Sequence, residues 1–443
     1  MKKEILYAAL FSSAALTSCQ SSSNSKNDAD SLATDTTVET SISELKLPAP
    51  NEKEAKSKFS KVIGWPEGKT PVAPEGFVVT KFASGIKSPR NMIFTPNGDV
   101  LVVLTNSERS AKEVIAGAVT GKSKSEVPGK SANTIVLYRD ADKDGKAETS
   151  TTFLSGLNQP YGMAIIGDNF YVANTDGLLQ YPYKAGDTKI TGKGKKILSL
   201  PAGGYNNHWT RNLITNADKS KIYITVGSGS NVGENGMDKE VRRANILEVN
   251  PDGTGEKIYA SGLRNPVGVD WAPGTNMLWT AVNERDGLGD DLVPDYITSV
   301  KEGAFYGWPY SYYGQNEDPR MKGKSPELVK KAIAPDVPVG SHTASLGLAF
   351  YKANKFPAKY QGGAFIGQHG SWNRSALSGY KVAFVPFKNG KPIADAEDFL
   401  TGFIANAEKG EVYGRPVGVT LTPDGALLVA DDVSGIVWKV AAK

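Results

Sequence analysis

From residue 74 to the end of the chain, short apolar runs are separated by turn signals. Asn97-Gly98, Asp144-Gly145, Asp252-Gly253, Asn389-Gly390 and Asp424-Gly425 each stand between two such runs, the pattern of antiparallel hairpins. A weak repeat runs through this pattern. Residues 89–94 precede an apolar run at 100–103; 160–165 precede 170–173; 210–214 precede 222–225; 266–269 precede 277–282; 345–350 precede 363–366; and 416–419 precede 426–430. Six copies at uneven spacings of about 50 to 80 residues predict an all-β chain, six four-stranded sheets set radially as a six-bladed β-propeller. Residues 77–82 are expected to add a strand to the last copy and close the ring. Helix is scarce, with 326–332 the best short candidate. The uneven spacing implies long loops on some copies, and loops carry sites.

Composition supports this picture. The chain has 443 residues, of which 47 are Gly and 25 Pro, as a turn-rich β-protein requires. The formal net charge of +4, with no long basic run, argues against nucleic acid as a partner. The single cysteine, Cys19, excludes an internal disulfide and follows a telling order. Lys2-Lys3 opens the chain, a short apolar run extends to Leu16, and Leu16-Thr17-Ser18-Cys19 closes it. This is the order of a secretion signal ending in a lipobox-like pattern, so residues 1–18 are expected to be removed and Cys19 lipidated. Gln20 after it points to the outer membrane. Residues 19–60 are rich in Ser, Thr, Asn, Asp, Lys and Glu, the composition of a disordered, flexible tether. The domain proper is then 74–443, held to the membrane through its lipid anchor only, on the periplasmic side or at the cell surface.

The candidate chemistry gathers where the copies begin. The stretch 262–313 holds Arg264-Asn265-Pro266, a hairpin, and a loop rich in glycine and carboxylates, Asn283-Glu284-Arg285-Asp286-Gly287 with Gly289-Asp290-Asp291. Such a loop can gather oxygen ligands for a hard cation, or it can be a solvated loop of a β-protein. The three histidines, His208, His342 and His369, all adjoin copies of the repeat. A histidine on a central face suits a general base, since its unperturbed pKa is about 6.5; packing and surface roles are the alternative. Arg264, Arg374 and Arg415 recur at matching places, and arginine forks match carboxylates. Converging, they would suit a small polyanion; spread on the surface, they would mean nothing. Asp140-Ala141-Asp142-Lys143-Asp144-Gly145 opens like an EF-hand loop, but Thr151 stands at the twelfth position and no helix pattern flanks it, so a hairpin turn with optional calcium is expected. No Gly-x-Ser-x-Gly elbow, P-loop, His-Glu-x-x-His or Gly-x-Gly-x-x-Gly opening a helix is present. No Cys-x-x-Cys-His is present either, so electrons from any redox reaction would need a separate acceptor.

These residues resemble a known family. The run 244–253 after Glu240, then Ala260-Ser261-Gly262-Leu263-Arg264-Asn265-Pro266, the loop 283–296 and Tyr306-Gly307-Trp308-Pro309 resemble the glucose/sorbosone dehydrogenases that use pyrroloquinoline quinone (PQQ) and calcium. Gly370-Ser371-Trp372-Asn373-Arg374 and Gly414-Arg415-Pro416-Val417-Gly418 look like its sorbosone and pyranose dehydrogenase branch, which includes soluble aldose sugar dehydrogenase-like members. The resemblance covers residues 75–441 and is specific in the middle and the last third.

The resemblance implies oxidation of a sugar (an aldose, a pyranose or sorbosone) by hydride transfer to PQQ. Electrons would pass to a separate cytochrome or quinone. It places His208 as the base that takes the hydroxyl proton, with Asn207 where the family often has an acid. It places Gln159, Arg264, Asn265, His342, Thr343, Arg374 and Arg415 at the cofactor. The carbonyls of Asp286 and Gly287 would hold the cofactor's calcium, and Asp295 with the carbonyl of Tyr306 a second, structural Ca2+. Two other readings stay open. A calcium-dependent propeller lactonase would want a carboxylate cluster on the axis, which the arginines oppose. A non-catalytic propeller binding sugar or protein would make His208 dispensable.

Overall fold

The computed structural model describes residues 45–443. The expected signal, Cys19 and the first part of the tether lie outside the described residues. Six four-stranded antiparallel sheets follow one another along the chain. Their first strands are Pro89–Phe94, Met163–Ile166, Leu213–Thr215, Pro266–Trp271, Ser345–Phe350 and Pro416–Leu421, in sheets 1 to 6 respectively. The expected closing strand is present: Phe77–Ser84 pairs antiparallel with Ile436–Ala442 as the outer strand of sheet 6. N-terminal and C-terminal segments therefore complete one sheet together.

The second strands explain why strict alternation is weak in the sequence. Val100–Leu104, Ile222–Val226, Leu278–Val282, Ala364–Gln368 and Leu427–Asp431 are buried at every residue. Both faces of each meet a neighbouring sheet, so both must be apolar. Six separate cores result. One joins sheets 1 and 2 (Leu101, Val103, Phe170, Val172) and the next joins 2 and 3 (Ala173, Leu178, Ile222, Ile224). The series continues through sheets 3–4 and 4–5 (Ile246 against Val282; Trp279 against Phe350) and sheets 5–6 (Phe365 against Leu427). The sixth core joins sheet 6 to sheet 1 (Leu428, Val437, Val102). The circuit of interfaces is closed, a propeller-like arrangement.

The third position of the repeat sets how closely the inner strands approach. It is Gly162, Gly268, Gly347 and Gly418 in sheets 2, 4, 5 and 6. A Cβ on Gly268 would lie 2.7 Å from Leu348 N, and one on Gly162 would lie 2.9 Å from Arg211 O, in each case backbone of the next sheet. In sheets 1 and 3 the position is Asn. Asn91 Nδ2 donates to Tyr161 O (3.0 Å) and Asn212 Nδ2 to Val267 O (2.8 Å). Each inner strand thus meets the next by contact or by a side-chain hydrogen bond. Tyr161, Trp209 and Val267, with Leu346 against them, fill the middle.

Two segments depart from expectation. The helix Ala111–Thr120 lies in the long connection between the second and third strands of sheet 1. Its Ser110–Glu113 capping box was a readable signal. The short helix Pro326–Lys331 stands where the sequence placed it. Residues 45–60, expected as part of a flexible tether, pack on the sheets. Leu45 and Leu47 touch the core between sheets 3 and 4, Asn51 N donates to Leu288 O and Lys58 N to Trp372 O, and Phe59 stacks on Trp372. Lys61–Val62 then pairs with Glu411–Val412. The expectation fails here because scattered apolar residues, Leu45, Leu47 and Phe59, find partners that composition does not reveal.

Gly268→Ala should cost about 1–3 kcal/mol in urea denaturation, because the Gly347–Leu348 backbone it would meet cannot yield. Gly192→Ala, whose nearest neighbour would be Pro182 Cδ at 3.9 Å, should leave stability nearly unchanged. Equal effects would remove the close approach as a determinant of the fold.

Candidate active site

His208 ends the loop before the first strand of sheet 3 and is half-buried. Its Nδ1 lies 2.9 Å from both Ser228 O and Ser228 Oγ. Ser228 Oγ–H is already given to Ser230 O (2.6 Å), so both oxygens near the ring accept. Nδ1 therefore carries the proton, and Nε2 keeps a lone pair, 3.4 Å from Asn207 Nδ2. Burial, and then the Arg264 guanidinium, hold the His208 pKa well below its ordinary value. The imidazole is a neutral acceptor at neutral pH. Ser228 escaped the sequence reading; its signal is the Gly227-Ser228-Gly229-Ser230 run after a strand. Gly227 lets Asn265 Oδ1 and His208 Cβ come close, since a Cβ there would lie 2.6 Å from each.

Arg264 is 2 % exposed. Its guanidinium donates to Asn231 O, Asn231 Oδ1 and Glu284 O and pairs with Asp286 at 2.9 Å. Asn231 is a second residue the sequence reading missed: it also accepts from Asp286 N and donates to Asp286 O, tying Arg264 to the acidic loop. Burial opposes the Asp286 charge, but Arg264 and His342 outweigh it and hold its pKa at about 2. His342 Nδ1 is 3.5 Å from Asp286 Oδ1, and its Nε2 meets Gly289 O at 2.9 Å. Burial opposes its charge too, yet Asp286 raises its pKa. Asn265 is buried, and its Oδ1 has no hydrogen-bond partner.

The expected metal ligands are only partly available. Asp286 O accepts from Asn231 Nδ2 (2.9 Å) and Arg285 Nη1 (2.7 Å). Both lone pairs of a carbonyl are then used, and the Asp286 carbonyl does not fit a calcium ligand as expected. Gly287 N donates to Asn373 Oδ1, which joins this loop to the one bearing Arg374. Asp295 is buried, accepting from Glu284 N and Thr343 Oγ1. Burial pushes Asp295 up to about 6 and the neighbouring Glu284 up to about 7. Thr343 thus turns its hydroxyl to Asp295 and Ser345 inside the protein rather than to an open site. Tyr306 bonds Ser261 O through its N–H and Ser299 O through its hydroxyl. Among the described residues the gathered acid group is instead Asp140, Asp142, Asp144 and Glu148, with ligand atoms within 4.8 Å of one another, in the turn between Thr134–Arg139 and Thr149–Leu154.

Of the remaining expected residues Arg415 lines a cavity of about 220 Å3, together with Arg90, Asn106, Asn207, His369 and Trp372, while Gln159 and Arg374 stand outside its lining. Arg415 donates to His369 O, Ser125 O and Gly370 O, so its fork is spent on carbonyls. Arg374 pairs with Asp291 at 2.8 Å. Gln159 Nε2 donates to Asn106 O (3.2 Å) and its N–H to Asn133 Oδ1 (3.0 Å). His369 and Arg90 both pair with Asp432 at 2.8 Å. Burial and then Arg415 push the His369 pKa down to about 4. Lipidation at Cys19 lies outside the described residues.

Comparison with known proteins follows this geometry. A family model described as a domain of unknown function, DUF7133, matches residues 69–439. An uncharacterized protein of Borreliella burgdorferi is 30% identical over 65% of this chain and 77% of its own. Aldose sugar dehydrogenase YliI of Escherichia coli is 28% identical over 58% of this chain and 66% of its own, just under two thirds. Among solved structures, the holo form of the pyranose dehydrogenase PQQ domain from Coprinopsis cinerea superposes with a TM-score of 0.65 at 20% identity, covering 86% of this chain and 100% of that one. These likenesses bear out the resemblance to PQQ-dependent sugar dehydrogenases read from the sequence.

The three histidines should titrate in different directions in ring-proton NMR. His342 should titrate above 6.5, His208 well below it, and His369 near 4. Arg264→Met should move the His208 midpoint upward, because it removes a neighbouring cation. A midpoint that stays in place would rule out Arg264 as a tuner of this histidine.

Proposed function

We propose that this chain, which belongs to the DUF7133 family, is a PQQ-dependent dehydrogenase that oxidises a sugar with His208 as the base. The observation that carries the reading is the ring of His208, neutral, with Nδ1–H held by Ser228 and the Nε2 lone pair beside Asn207, a residue that lines the cavity. The names of its relatives support the redox chemistry. The six sheets are the blades of a six-bladed propeller in this reading, with residues 74–443 as the catalytic domain.

The residues fit an anionic, planar cofactor in several respects. Arg415, bonded to neutral carbonyls, supplies positive charge, Arg264 and Arg374 would supply it only on leaving Asp286 and Asp291, and Asn265 Oδ1 is a buried acceptor that lacks a partner. With Gln159, these residues would hold PQQ, which supplies an electrophilic quinone as two-electron acceptor. His208 Nε2 accepts the proton of the sugar hydroxyl. Ser228 keeps the ring in the one tautomer that leaves Nε2 unprotonated, with Asn207 Nδ2 3.4 Å away. The imidazolium that forms is opposed by Arg264 and favoured by Asp286, so the two charges that pair with each other also set the strength of the base. The Asp286 carbonyl, with both lone pairs occupied by Asn231 and Arg285, does not fit calcium. Electrons leave to a separate cytochrome or quinone. A lipid on Cys19 would hold the protein to the periplasmic side of a membrane, the outer one, or at the cell surface.

Protein loaded with PQQ, with and without calcium, should reduce a dye in the presence of aldoses, pyranoses or sorbosone. His208→Gln should lose about 10²–10⁴-fold in kcat while still binding PQQ by calorimetry. Protonation silences a base, and the His208 pKa lies well below 6.5. The acid limb of kcat/KM should therefore fall below pH 6.5. Absence of PQQ binding would overturn the reading. Binding with turnover untouched in His208→Gln would take the base away from His208.

A further inference from the structure

We propose that Glu240 is a positioning residue for His208. Its carboxylate turns two successive peptide planes so that their carbonyls hold the imidazole and the loop that carries it. The catalytic consequence rests on the dehydrogenase reading; the tautomer that Glu240 fixes does not.

Glu240 follows the single turn Met237–Lys239 in the connection between the second and third strands of sheet 3. It is 6 % exposed. One carboxylate oxygen accepts from Gly229 N (2.7 Å); the other accepts from Ser230 N (2.9 Å) and from the Ser230 hydroxyl. An ionised carboxylate only accepts, and here it meets three donors of one short segment. The N–H and C=O of a trans peptide share a plane and point opposite ways. With Gly229 N–H turned to Glu240, the Ser228 carbonyl of the same plane faces away from the acid. That oxygen lies 2.9 Å from His208 Nδ1. With Ser230 N–H turned to Glu240, the Gly229 carbonyl likewise faces away, and it accepts from Asn207 N (3.0 Å). Two adjacent planes thus carry the hold of one carboxylate to the ring of His208 and to the backbone just before it.

The segment is fixed at its other atoms too. Ser228 N donates to Arg264 O (2.7 Å) and Ser228 Oγ to Ser230 O (2.6 Å). A Cβ on Gly229 would lie 2.7 Å from Tyr205 O and 3.3 Å from Glu240 Oε1, so glycine lets the segment pass between the acid and the loop that ends at His208. In that loop the buried Arg211 donates to His208 O (2.7 Å) and Asn206 Oδ1 (3.1 Å), and Arg243 donates to the same Asn206 Oδ1 (2.6 Å). The backbone of His208 is therefore held by a buried arginine, and its ring is held through a buried carboxylate. The carbonyl is the decisive partner of the ring. A hydroxyl can donate or accept, whereas a carbonyl only accepts. A carbonyl fixed against Nδ1 leaves one tautomer, with the proton on Nδ1 and the lone pair on Nε2.

Ring nitrogen-15 NMR of the full-length protein, to which only three histidines contribute, reads the tautomer without cofactor or substrate, and His208→Gln assigns the signal. In the unsubstituted protein at neutral pH, His208 should carry its proton on Nδ1. In Glu240→Gln the amide can accept one N–H but opposes the other with its own, so a protonated Nε2 should appear in the His208 signal. In PQQ-loaded Glu240→Gln, kcat should fall about tenfold or more while KM stays within about threefold. Ser228→Ala removes the hydroxyl, keeps the carbonyl, and should retain the Nδ1–H tautomer. An Nε2–H tautomer in the unsubstituted protein would overturn the proposal. So would a tautomer unmoved in a Glu240→Gln that merely melts earlier, the mark of a structural role alone. A tautomer lost in Ser228→Ala would give its control to the hydroxyl and overturn the proposal as well; this variant and the unsubstituted protein decide the matter even if Glu240→Gln does not fold. The tautomer shift of Glu240→Gln in a protein that binds no PQQ would uphold the positioning role and remove only the dehydrogenase reading.

Discussion

The close approach of the six inner strands is the constraint on which the rest depends. Position three of the repeat is glycine where backbone must meet backbone, as at Gly162, Gly268 and Gly347, each against the next sheet. It is asparagine where an amide spans the gap, as at Asn91 and Asn212. Apolar burial alone is non-directional and would let neighbouring sheets slide. Backbone contacts and amide bonds fix their spacing. The last core, between sheets 6 and 1, then closes the circuit of packed sheet faces.

With the inner strands held, the residues just before them are brought to one end of the sheets. Gln159, Asn265 and Arg415 each stand one residue before Pro160, Pro266 and Pro416. The same register irregularity follows Pro266 and Pro416. These residues come from distant parts of the chain, yet the repeat gives them equivalent places. The electrostatics of the end follow from what each cation meets. Arg264 finds Asp286, Arg90 finds Asp432, and Arg415 finds carbonyls. The neutral His208 is a property of the ring.

The sequence by itself determined the fold class and the closing strand, because turn dipeptides and apolar runs are local signals and six copies reinforce one another. It also placed the short helix at 326–331, and the Arg264-Asn265 and His208 neighbourhoods were readable as motifs. Helix Ala111–Thr120 went unread although its capping box was present, since one cap inside a β-rich pattern is a single short signal.

Only the tertiary structure decided what these groups touch. The tautomer of His208 depends on Ser228, twenty residues away and beyond the hairpin of Leu213–Thr215 and Ile222–Val226. The lone pairs of the Asp286 carbonyl are taken by Asn231 and Arg285, which no ligand pattern in the chain discloses. The hydroxyl of Thr343 turns inward because Asp295 is there to accept it. Residues 45–60 read as tether because composition averages over a segment, whereas three apolar side chains finding partners are enough to seat it. Periodicity and turns act over a few residues and survive in the sequence. Hydrogen-bond partnership across a closed ring is set by distances between residues far apart in the chain, and those exist only once the ring has closed.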